Sequence, residues 1–399
     1  MINTVGDTYF SFEESGIIDG AMNEITPEFI MRLGFASASV EHRILVAYSN
    51  CAVCRLLANS FIAGAASCGA QITEADAEIY SVMCYISRAY IFNLAVFIEY
   101  DNGGLKIRMT DKFGLPLPRI LCKKIQLSSS AHERAPISDI HAPKGIAGVP
   151  DMYAEELSGR YNLGGMRLSV EGKSKSSEIL RSCLRRSGAV LVSSAERVPV
   201  FSVSEDGMSL QFRDEKSEWY DAGHAQAILA FLHFLSGSRE LAVFPSAPAI
   251  SEQIADDFGG RVLRIGRDDG ARDTFITHNS FHDAISAVLF ICSYLKNRKK
   301  TLSEISVNIP SFTLISREVN LNKDRKAILD AIAKSRDGLH KEQAGCLRVC
   351  ADGGWVSISP SRSKSSLRIT GEGVSEEIAS ELCNLFVEKA LTFDSSLQN

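Results

Sequence analysis

No hydrophobic run in the sequence is long enough to cross a membrane. The longest apolar stretch, Ala284–Leu295, contains two serines and a cysteine, whereas a transmembrane helix needs about 20 consecutive apolar residues. Met1–Phe10 also lacks the charged start and apolar core of a secretory signal. These absences predict a cytoplasmic protein with no membrane partner.

A strong excess of charge of one sign is also missing. The 399 residues carry a net charge of −5, with 23% charged and 45% hydrophobic residues, which is typical of a globular protein. A chain with this balance exerts no broad attraction on a polyanion. We therefore expect no nucleic-acid partner.

Paired cysteine spacing is nearly absent as well. Ten cysteines are scattered along the chain, and Cys51 and Cys54 form one isolated Cys-x-x-Cys. A zinc site would need a second pair or histidines at matching spacing, and redox chemistry of the thioredoxin kind would need that fold. The thiols are expected to be free in a reducing compartment. The prediction is that Cys51 and Cys54 pack on a helix face.

The chain does contain a repeated strand–helix–glycine–strand pattern. Its first strands are predicted at Arg43–Ala47, Arg167–Val170 and Leu241–Phe244. In the first copy, Ser49-Asn50 is predicted to cap the helix, and Gly69 stands where a helix end favours a left-handed residue. Three such copies predict three α/β domains with mixed, mostly parallel sheets.

The pattern changes near residue 303. Phe312–Val319 is predicted as a strand and Asp324–Lys334 as an amphipathic helix. Three short strands and a closing helix are predicted after them, at Cys346–Val349, Trp355–Ile358, Leu367–Ile369 and Glu376–Ala390. This order indicates an α+β domain. The predicted domains are 1–130, 150–236, 237–300 and 303–399, with Ser128–Gly148 as the first joint.

Four segments resemble the α-D-phosphohexomutase superfamily, which includes phosphomannomutase, phosphoglucomutase and phosphoglucosamine mutase. These segments are Gly16–Gly20, Asn23–Phe29 with its Thr26-Pro27-Glu28 helix start, Asn102–Ile107 and Gly354–Ser361. The resemblance implies the superfamily's architecture, in which three similar α/β domains surround a cleft and a C-terminal α+β domain follows.

Three further segments resemble, more closely, a degenerate mutase-like module that is fused to sugar-phosphate nucleotidyltransferases. They are Phe113–Arg119, Phe258–Arg264 and Leu302–Ile305. The resemblance implies a nucleotidyltransferase as a partner. Because no such segment precedes Met1 here, we expect this copy to stand alone.

The nucleophile that the superfamily's reaction requires is missing. A mutase of this kind moves a phosphoryl group from an enzyme phosphoserine, which lies in a Thr-Ala-Ser-His-Asn-Pro loop. From Arg88 to Met109 this sequence contains no serine, threonine or histidine. Tyr100 carries a hydroxyl, but a tyrosine at a strand end is typical of the surface. No catalytic residue is predicted.

The superfamily's Mg²⁺ ligands are mostly missing too. The resemblance implies an Asp-Gly-Asp-Gly-Asp-Arg loop, because hard cations need clustered oxygen ligands. The matching stretch is Ser204–Ser209, in which Asp206 keeps a carboxylate at a ligand position and Glu205 lies beside it. Although Mg²⁺ is the cofactor of the superfamily, we predict no metal and no other cofactor here.

The sugar-binding loop of the superfamily's third domain, Gly-Glu-x-Ser-Gly-His, has no counterpart. No glutamate occurs between Glu252 and Glu304. His278 and His282 are four residues apart there, but they lack an acidic partner at matching spacing. They are predicted to be structural, and Asp283 is predicted to start the helix that follows.

The phosphate loop of the last domain retains more. The superfamily's Arg-Pro-Ser-Gly-Thr-Glu-Pro corresponds here to residues 359–365. Hydroxyls remain at two positions, two new cations favour charge-assisted bonds to phosphate, and a common arginine is kept downstream. The predicted phosphate-binding residues are Ser361, Arg362, Ser363, Lys364 and Arg368. A solvated basic hairpin is the alternative interpretation.

Three loops lack the catalytic groups of the superfamily, whereas the segments that form the scaffold are retained. This pattern favours a protein whose role is binding. The sequence therefore predicts a catalytically inactive, phosphohexomutase-like protein of carbohydrate metabolism that binds a sugar phosphate or a nucleotide sugar, or that partners a nucleotidyltransferase. Two alternatives stay open. One is an active phosphomannomutase- or phosphoglucomutase-type phosphotransferase with relocated groups, and the other is an interaction subunit with no small ligand.

Overall fold

The computed structural model describes the chain from Phe12 to Ser396 with short gaps. The residues that it leaves out are 1–11, 13–15, 22–23, 102–103, 129–133, 267, 269, 278–280, 324, 336–338, 344–345, 352, 362–365 and 397–399. The chain divides into two compact units, Met1–Glu156 and Leu157–Asn399. The predicted division into four domains stays a prediction.

A mixed sheet forms the centre of the first unit. Its strands are β1 (Ile17–Ala21), β2 (Arg43–Tyr48), β3 (Gln71–Ala75), β4 (Leu94–Asp101), β5 (Gly104–Asp111) and β6 (Lys144–Ile146). Their order is β1-β5-β4-β2-β3-β6. The last four strands in this order run parallel, whereas β1 and β5 pair antiparallel. Because β6 lies within Ser128–Gly148, part of that predicted joint is a strand of the sheet.

Five helices accompany this sheet, and the unit boundary falls in the last one. They are α1 (Pro27–Ala38), α2 (Ala52–Ala66), α3 (Tyr80–Ala89), α4 (Arg119–Leu127) and α5 (Val149–Arg160). The Thr26 side chain accepts a hydrogen bond from the Phe29 amide at 3.2 Å, so the predicted start of α1 is confirmed. The predicted cap of α2 is wrong, because Cys51 rather than Ser49 or Asn50 occupies the N-cap position.

Two glycines let α1 and α2 pack with their backbones in contact. A Cβ atom at Gly34 would lie 2.3 Å from the Phe61 carbonyl oxygen, and one at Gly64 would lie 2.1 Å from the Met31 carbonyl oxygen. Real Cβ atoms do not approach a backbone oxygen so closely. The packing of these two helices therefore requires glycine at both positions.

The second unit begins with two sheets. The first has β7 (Arg167–Val170), β8 (Val190–Leu191), β9 (Val200–Val203), β10 (Leu210–Arg213) and β11 (Trp219–Tyr220), in the order β11-β10-β9-β7-β8. The second consists of β12 (Glu240–Val243) and β13 (Arg261–Arg264), which are parallel. Both predicted repeat copies in this region are confirmed as strand–helix–strand units.

The helices of this region are α6 (Lys175–Arg186), α7 (Ala222–Leu235), α8 (Ile250–Asp257), α9 (Ala271–Thr277) and α10 (Ala284–Arg298). The Asp283 carboxylate accepts hydrogen bonds from the Ile285 and Ser286 amides, each at 3.1 Å. The predicted start of α10 is therefore confirmed.

An antiparallel sheet ends the chain. Its elements are α11 (Leu302–Ser306), β14 (Thr313–Asn320), α12 (Arg325–Lys334), β15 (Leu339–Gln343), β16 (Cys346–Ala351), β17 (Gly354–Pro360), β18 (Ser366–Gly373) and α13 (Glu376–Ser396). The strand order is β14-β18-β17-β16-β15. Aliphatic side chains from one sheet face pack with buried residues of α13 in a common core. The predicted α+β topology is confirmed, and with it the α/β fold class.

Within the described residues, no helix combines the length and the apolar character that a membrane span requires.

Replacing Gly64 by alanine should separate α1 from α2. We expect the free energy of unfolding to fall by about 1–3 kcal/mol, the usual cost of overpacking, as measured by urea unfolding followed by circular dichroism. Gly159→Ala is the matched control, because a Cβ atom there has nothing within 4 Å and alanine favours the exposed helix by about 1 kcal/mol. Equal effects of the two substitutions would refute the close-packing argument.

Candidate functional site

The turn between β4 and β5 lies where the superfamily's nucleophile loop is expected. The two strands pair antiparallel from Leu94 opposite Asp111 to Asp101 opposite Gly104. This register leaves two residues for the connection, an asparagine and a glycine, which is the typical sequence of a two-residue hairpin. Both residues lie outside the described part. Neither residue type carries a hydroxyl, so this turn holds no oxygen nucleophile.

A largely buried ion pair joins the two strands near this turn. Glu99 and Arg108 are 2.7 Å apart, and the Arg108 guanidinium stands 4.5 Å from the centre of the Tyr80 ring. Burial raises the pKa of Tyr80 well above its usual value. Tyr100, one residue after Glu99, is 45% exposed, as predicted for a surface tyrosine. The buried charges are therefore engaged with each other.

The turn predicted to match the Mg²⁺ loop is closed by its own hydrogen bonds. The Ser204 hydroxyl donates to Asp206 Oδ1 at 2.5 Å, and the Met208 amide donates to the same oxygen at 3.1 Å. The Ser209 amide donates to Ser204 Oγ at 2.9 Å. Mg²⁺ requires near-octahedral oxygen ligation, and a single aspartate committed to its own turn does not fit that need. Among the described residues, no cluster of three or more His, Cys, Asp or Glu could hold a metal.

His282, in the predicted third domain, is a packed core residue. His282 is 5% exposed, its Nε2 lies 2.9 Å from the Ala242 carbonyl oxygen, and its ring stacks on Phe275 with centroids 3.7 Å apart. The other predicted histidine, His278, lies outside the described residues. His282 itself lies outside the helix α9.

The phosphate loop is anchored by a glutamate that the sequence did not single out. Ser361 Oγ donates to Glu318 Oε1 at 2.5 Å, and Ser366 Oγ donates to the same oxygen at 3.0 Å. Arg325 Nη1 donates to the Ser361 carbonyl oxygen at 3.4 Å. One carboxylate on β14 thus holds both ends of the loop.

The five predicted phosphate-binding residues are described unequally. Ser361 is 7% exposed and bonded to Glu318, so its hydroxyl serves the loop itself. Arg362, Ser363 and Lys364 lie outside the described residues. Arg368 lies on β18, exposed and opposite Ser359 in the ladder. The structure therefore brings Arg368 to the strand beside the loop, and phosphate binding by the five residues stays a prediction.

Arg368 belongs to the sheet face that points away from the core. Its neighbours Leu367 and Ile369 are fully buried on the other face, because successive strand residues alternate. On the outer face, Ser316 and Thr370 are joined by a hydroxyl–hydroxyl hydrogen bond of 2.7 Å. This outer face thus offers a cation and hydroxyls, the groups that bind phosphates and sugars. It also carries the acidic Glu318, which lies opposite Arg368 in the β14–β18 ladder.

The opposite end of the same face is buried beneath α8. Glu372, two residues beyond Thr370, accepts hydrogen bonds from the Ala249 and Ile250 amides, each at 2.7 Å. These amides belong to the first turn of α8, which has no capping side chain of its own. Glu372 therefore caps a helix from a distant strand. Burial raises the pKa of Glu372, whereas the two amides lower it.

Two buried arginines complete this cluster. Arg264 is fully buried and forms a two-point hydrogen bond to Glu252, with both distances 2.7 Å. Arg348 lies 3.8 Å from the same carboxylate, above the Trp355 ring. Burial, helped by the charge of Arg264, lowers the pKa of Arg348 to about 10. The four charges balance, which is what a buried ionic cluster requires.

Comparison with known proteins supports the predicted resemblance. The chain is 23% identical to a phosphoglucosamine mutase from Caldanaerobacter subterraneus subsp. tengcongensis, over 95% of this chain and 99% of that protein. A phosphoglucomutase/phosphomannomutase family protein from Burkholderia thailandensis has a similar structure, with a TM-score of 0.68, 13% identity and coverage of 96% and 97%.

An N-acetylglucosamine-phosphate mutase, a member of the α-D-phosphohexomutase superfamily, gives a TM-score of 0.53 at 9% identity, with coverage of 97% and 96%. No protein-family model matches the chain. The predicted resemblance to this superfamily is confirmed, and so is its fold. The closer resemblance to a nucleotidyltransferase-fused module stays a prediction.

Replacing Glu372 by alanine should open the first turn of α8. The Ala249 and Ile250 amides would lose their hydrogen-bond acceptor, and Arg348 would lose a counter-charge. Together these changes should reduce the local stability by about 3 kcal/mol. We expect amide hydrogen exchange in the peptide that carries these residues to accelerate about a hundredfold. Glu381→Ala, at an exposed position of α13, should leave the exchange unchanged. An unaltered exchange rate in the Glu372 variant would show that α8 is held by other contacts.

Proposed function

We propose that this chain, which has the fold of the α-D-phosphohexomutases, serves sugar-phosphate metabolism as a binding protein that transfers no phosphoryl group. The observation that carries the proposal is the pairing of Asp101 with Gly104, which leaves only an asparagine and a glycine between β4 and β5. Phosphoryl transfer through a covalent enzyme phosphate needs a hydroxyl held in line with the substrate. This turn supplies neither the hydroxyl nor the chain length to hold one.

The proposed ligand is a sugar phosphate or a nucleotide sugar. Support comes from the outer face of the C-terminal sheet, where Arg368 stands beside the loop that Glu318 anchors. A guanidinium holds phosphate oxygens in a two-point geometry, and hydroxyls complement a sugar. The names of the similar proteins, phosphoglucosamine mutase among them, point to a hexose or hexosamine phosphate.

The second candidate function is intramolecular phosphotransfer with relocated groups. It is favoured by similarity to a phosphoglucosamine mutase over 99% of that protein's length. It requires a phosphorylated hydroxyl elsewhere in residues 1–130 and a metal held by ligands other than Asp206. The two candidates differ in covalent phosphate, which mass spectrometry detects directly.

Ligand binding is tested by thermal shift with the full chain. Glucosamine 6-phosphate, glucose 1-phosphate and a nucleotide sugar are the probes, and a ligand at 100 times its Kd should stabilise the fold by about 2.7 kcal/mol. Arg368→Met should weaken binding about tenfold or more, because a hydrogen bond to a charged group contributes about 1.5–3 kcal/mol. Arg317→Met, an exposed arginine on the neighbouring strand, is the control. Absence of any shift would favour an interaction subunit instead.

Catalysis is tested separately from binding. With Mg²⁺ and hexose or hexosamine 6-phosphates, we expect no 1-phosphate by phosphorus NMR and no phosphate adduct by intact mass, because the turn lacks a nucleophile. The phosphoglucosamine mutase of Caldanaerobacter subterraneus is the positive control. Turnover together with a phosphorylated residue would establish the second candidate and end the proposal.

A further inference from the structure

The isolated Cys-x-x-Cys lies at the start of a long helix. Cys51 is the N-cap residue of α2, and Cys54 follows three positions later in its first turn. From the rise and radius of a helix, Cα atoms three residues apart are separated by about 5 Å, which is within the range that disulfides span. Cys51 is half-buried, whereas Cys54 is completely buried.

The two sulfurs have opposite surroundings. The amide of Cys54 is the largest influence on Cys51 and lowers the pKa of its thiol, helped by the Val53 amide. Burial raises the pKa of Cys54 to about 11, although the Ser49 hydroxyl donates a hydrogen bond to its sulfur at 3.3 Å. The pair thus combines a half-buried cysteine whose thiol ionises more readily than usual with a completely buried one that ionises less readily.

The pKa of several other cysteine thiols is raised rather than lowered. Burial raises the pKa of Cys68, Cys122, Cys183 and Cys383. Cys68 is the instructive case, because it is also half-buried and lies just beyond the C-terminal end of the same helix. A helix C-terminus disfavours a thiolate, and an N-terminus favours one. We therefore expect the Cys51 thiol, at the N-terminal end of α2, to be more reactive than the Cys68 thiol beyond its C-terminal end.

We propose that Cys51 and Cys54 form a redox-active dithiol that reduces accessible disulfides of low-molecular-weight thiols, with Cys51 as the attacking residue and Cys54 as the resolving one. The proposal does not rest on the proposed sugar-phosphate function. It adds to the interpretation drawn from the sequence, in which both cysteines pack on a helix face. Both cysteines do pack in the core of the first unit, but Cys51 remains half-buried.

The reaction consists of two exchange steps. Cys51 Sγ, as the thiolate, attacks one sulfur of the external disulfide, forming a mixed disulfide and releasing the first thiolate, which takes a proton from water. Cys54 Sγ then loses its proton to water and attacks Cys51 Sγ, and the second external thiolate leaves and is protonated. Two electrons pass from the protein thiols to the external disulfide. The protein ends with a Cys51–Cys54 disulfide and releases two thiols.

The test uses the full chain and oxidised glutathione at pH 7, with acid quenching, alkylation of free thiols and tryptic digestion. Trypsin cuts after Arg43 and Arg55, so one peptide, Ile44–Arg55, carries Cys51 and Cys54 and no other cysteine. We expect this peptide to appear unalkylated and with an internal disulfide, lighter by two hydrogens than the unmodified dithiol, while Cys68 is recovered alkylated. A reduced peptide, or earlier oxidation of Cys68, would overturn the proposal.

Single variants separate the two roles. Cys54→Ser should trap glutathione on Cys51, because the resolving thiol is gone, and Cys51→Ser should leave Cys54 reduced. Cys68→Ser is the control and should still form the disulfide. If a variant does not fold, the assignment is tested instead by the rates at which the cysteines of the unsubstituted chain are alkylated. Cys51 should then react at least about tenfold faster than Cys68, and equal rates would contradict the assignment.

Discussion

The register of β4 with its two neighbours constrains the whole carboxyl edge of the first sheet. β4 pairs in parallel with β2 as far as Ile98 opposite Tyr48, and antiparallel with β5 as far as Asp101 opposite Gly104. The Ser49 amide then donates to the Ile98 carbonyl oxygen at 3.0 Å. The first ladder ties the start of α2 to this edge, and the second leaves two residues between β4 and β5. The pairing of one strand therefore fixes both the length of this connection and the position of the thiols.

Much of the fold could be predicted from the sequence because its signals are local. The strand–helix–glycine–strand copies depend on periodicity and on positions such as Gly69, whose φ is +80°, and these need no knowledge of distant residues. The strand β6 was missed because it is three residues long and exposed. Cys51, rather than Ser49 or Asn50, caps α2, because the Ser49 amide is hydrogen-bonded to the Ile98 carbonyl oxygen of β4. Tertiary pairing overrode the local capping preference.

The candidate site was less predictable, since its polar contacts join residues far apart in the chain. Glu318 holds Ser361 and Ser366, which are 43 and 48 positions away. Glu372 caps a helix that lies more than 120 positions earlier. Neither glutamate belongs to a motif. Alternation along a strand does not show which outward residue will hold a distant loop, as the exposed Glu318 does, or which will be buried, as Glu372 is. The sequence showed which groups are missing, but it did not show what the remaining ones contact.

The polar groups that remain in two of the altered loops mainly stabilise the fold. The Asp206 carboxylate binds a hydroxyl and an amide of its own turn, and the Glu318 carboxylate binds the two serines that end its loop. Hydrogen bonds to a charged group contribute about 1.5–3 kcal/mol each, so a metal ion or phosphate that displaced them would first have to compensate for their loss. Arg368 differs, because it is exposed and its removal leaves the core face of β18 intact. A ligand bound at Arg368, as proposed above, would not need to displace these hydrogen bonds, so binding at the outer sheet face is compatible with folding.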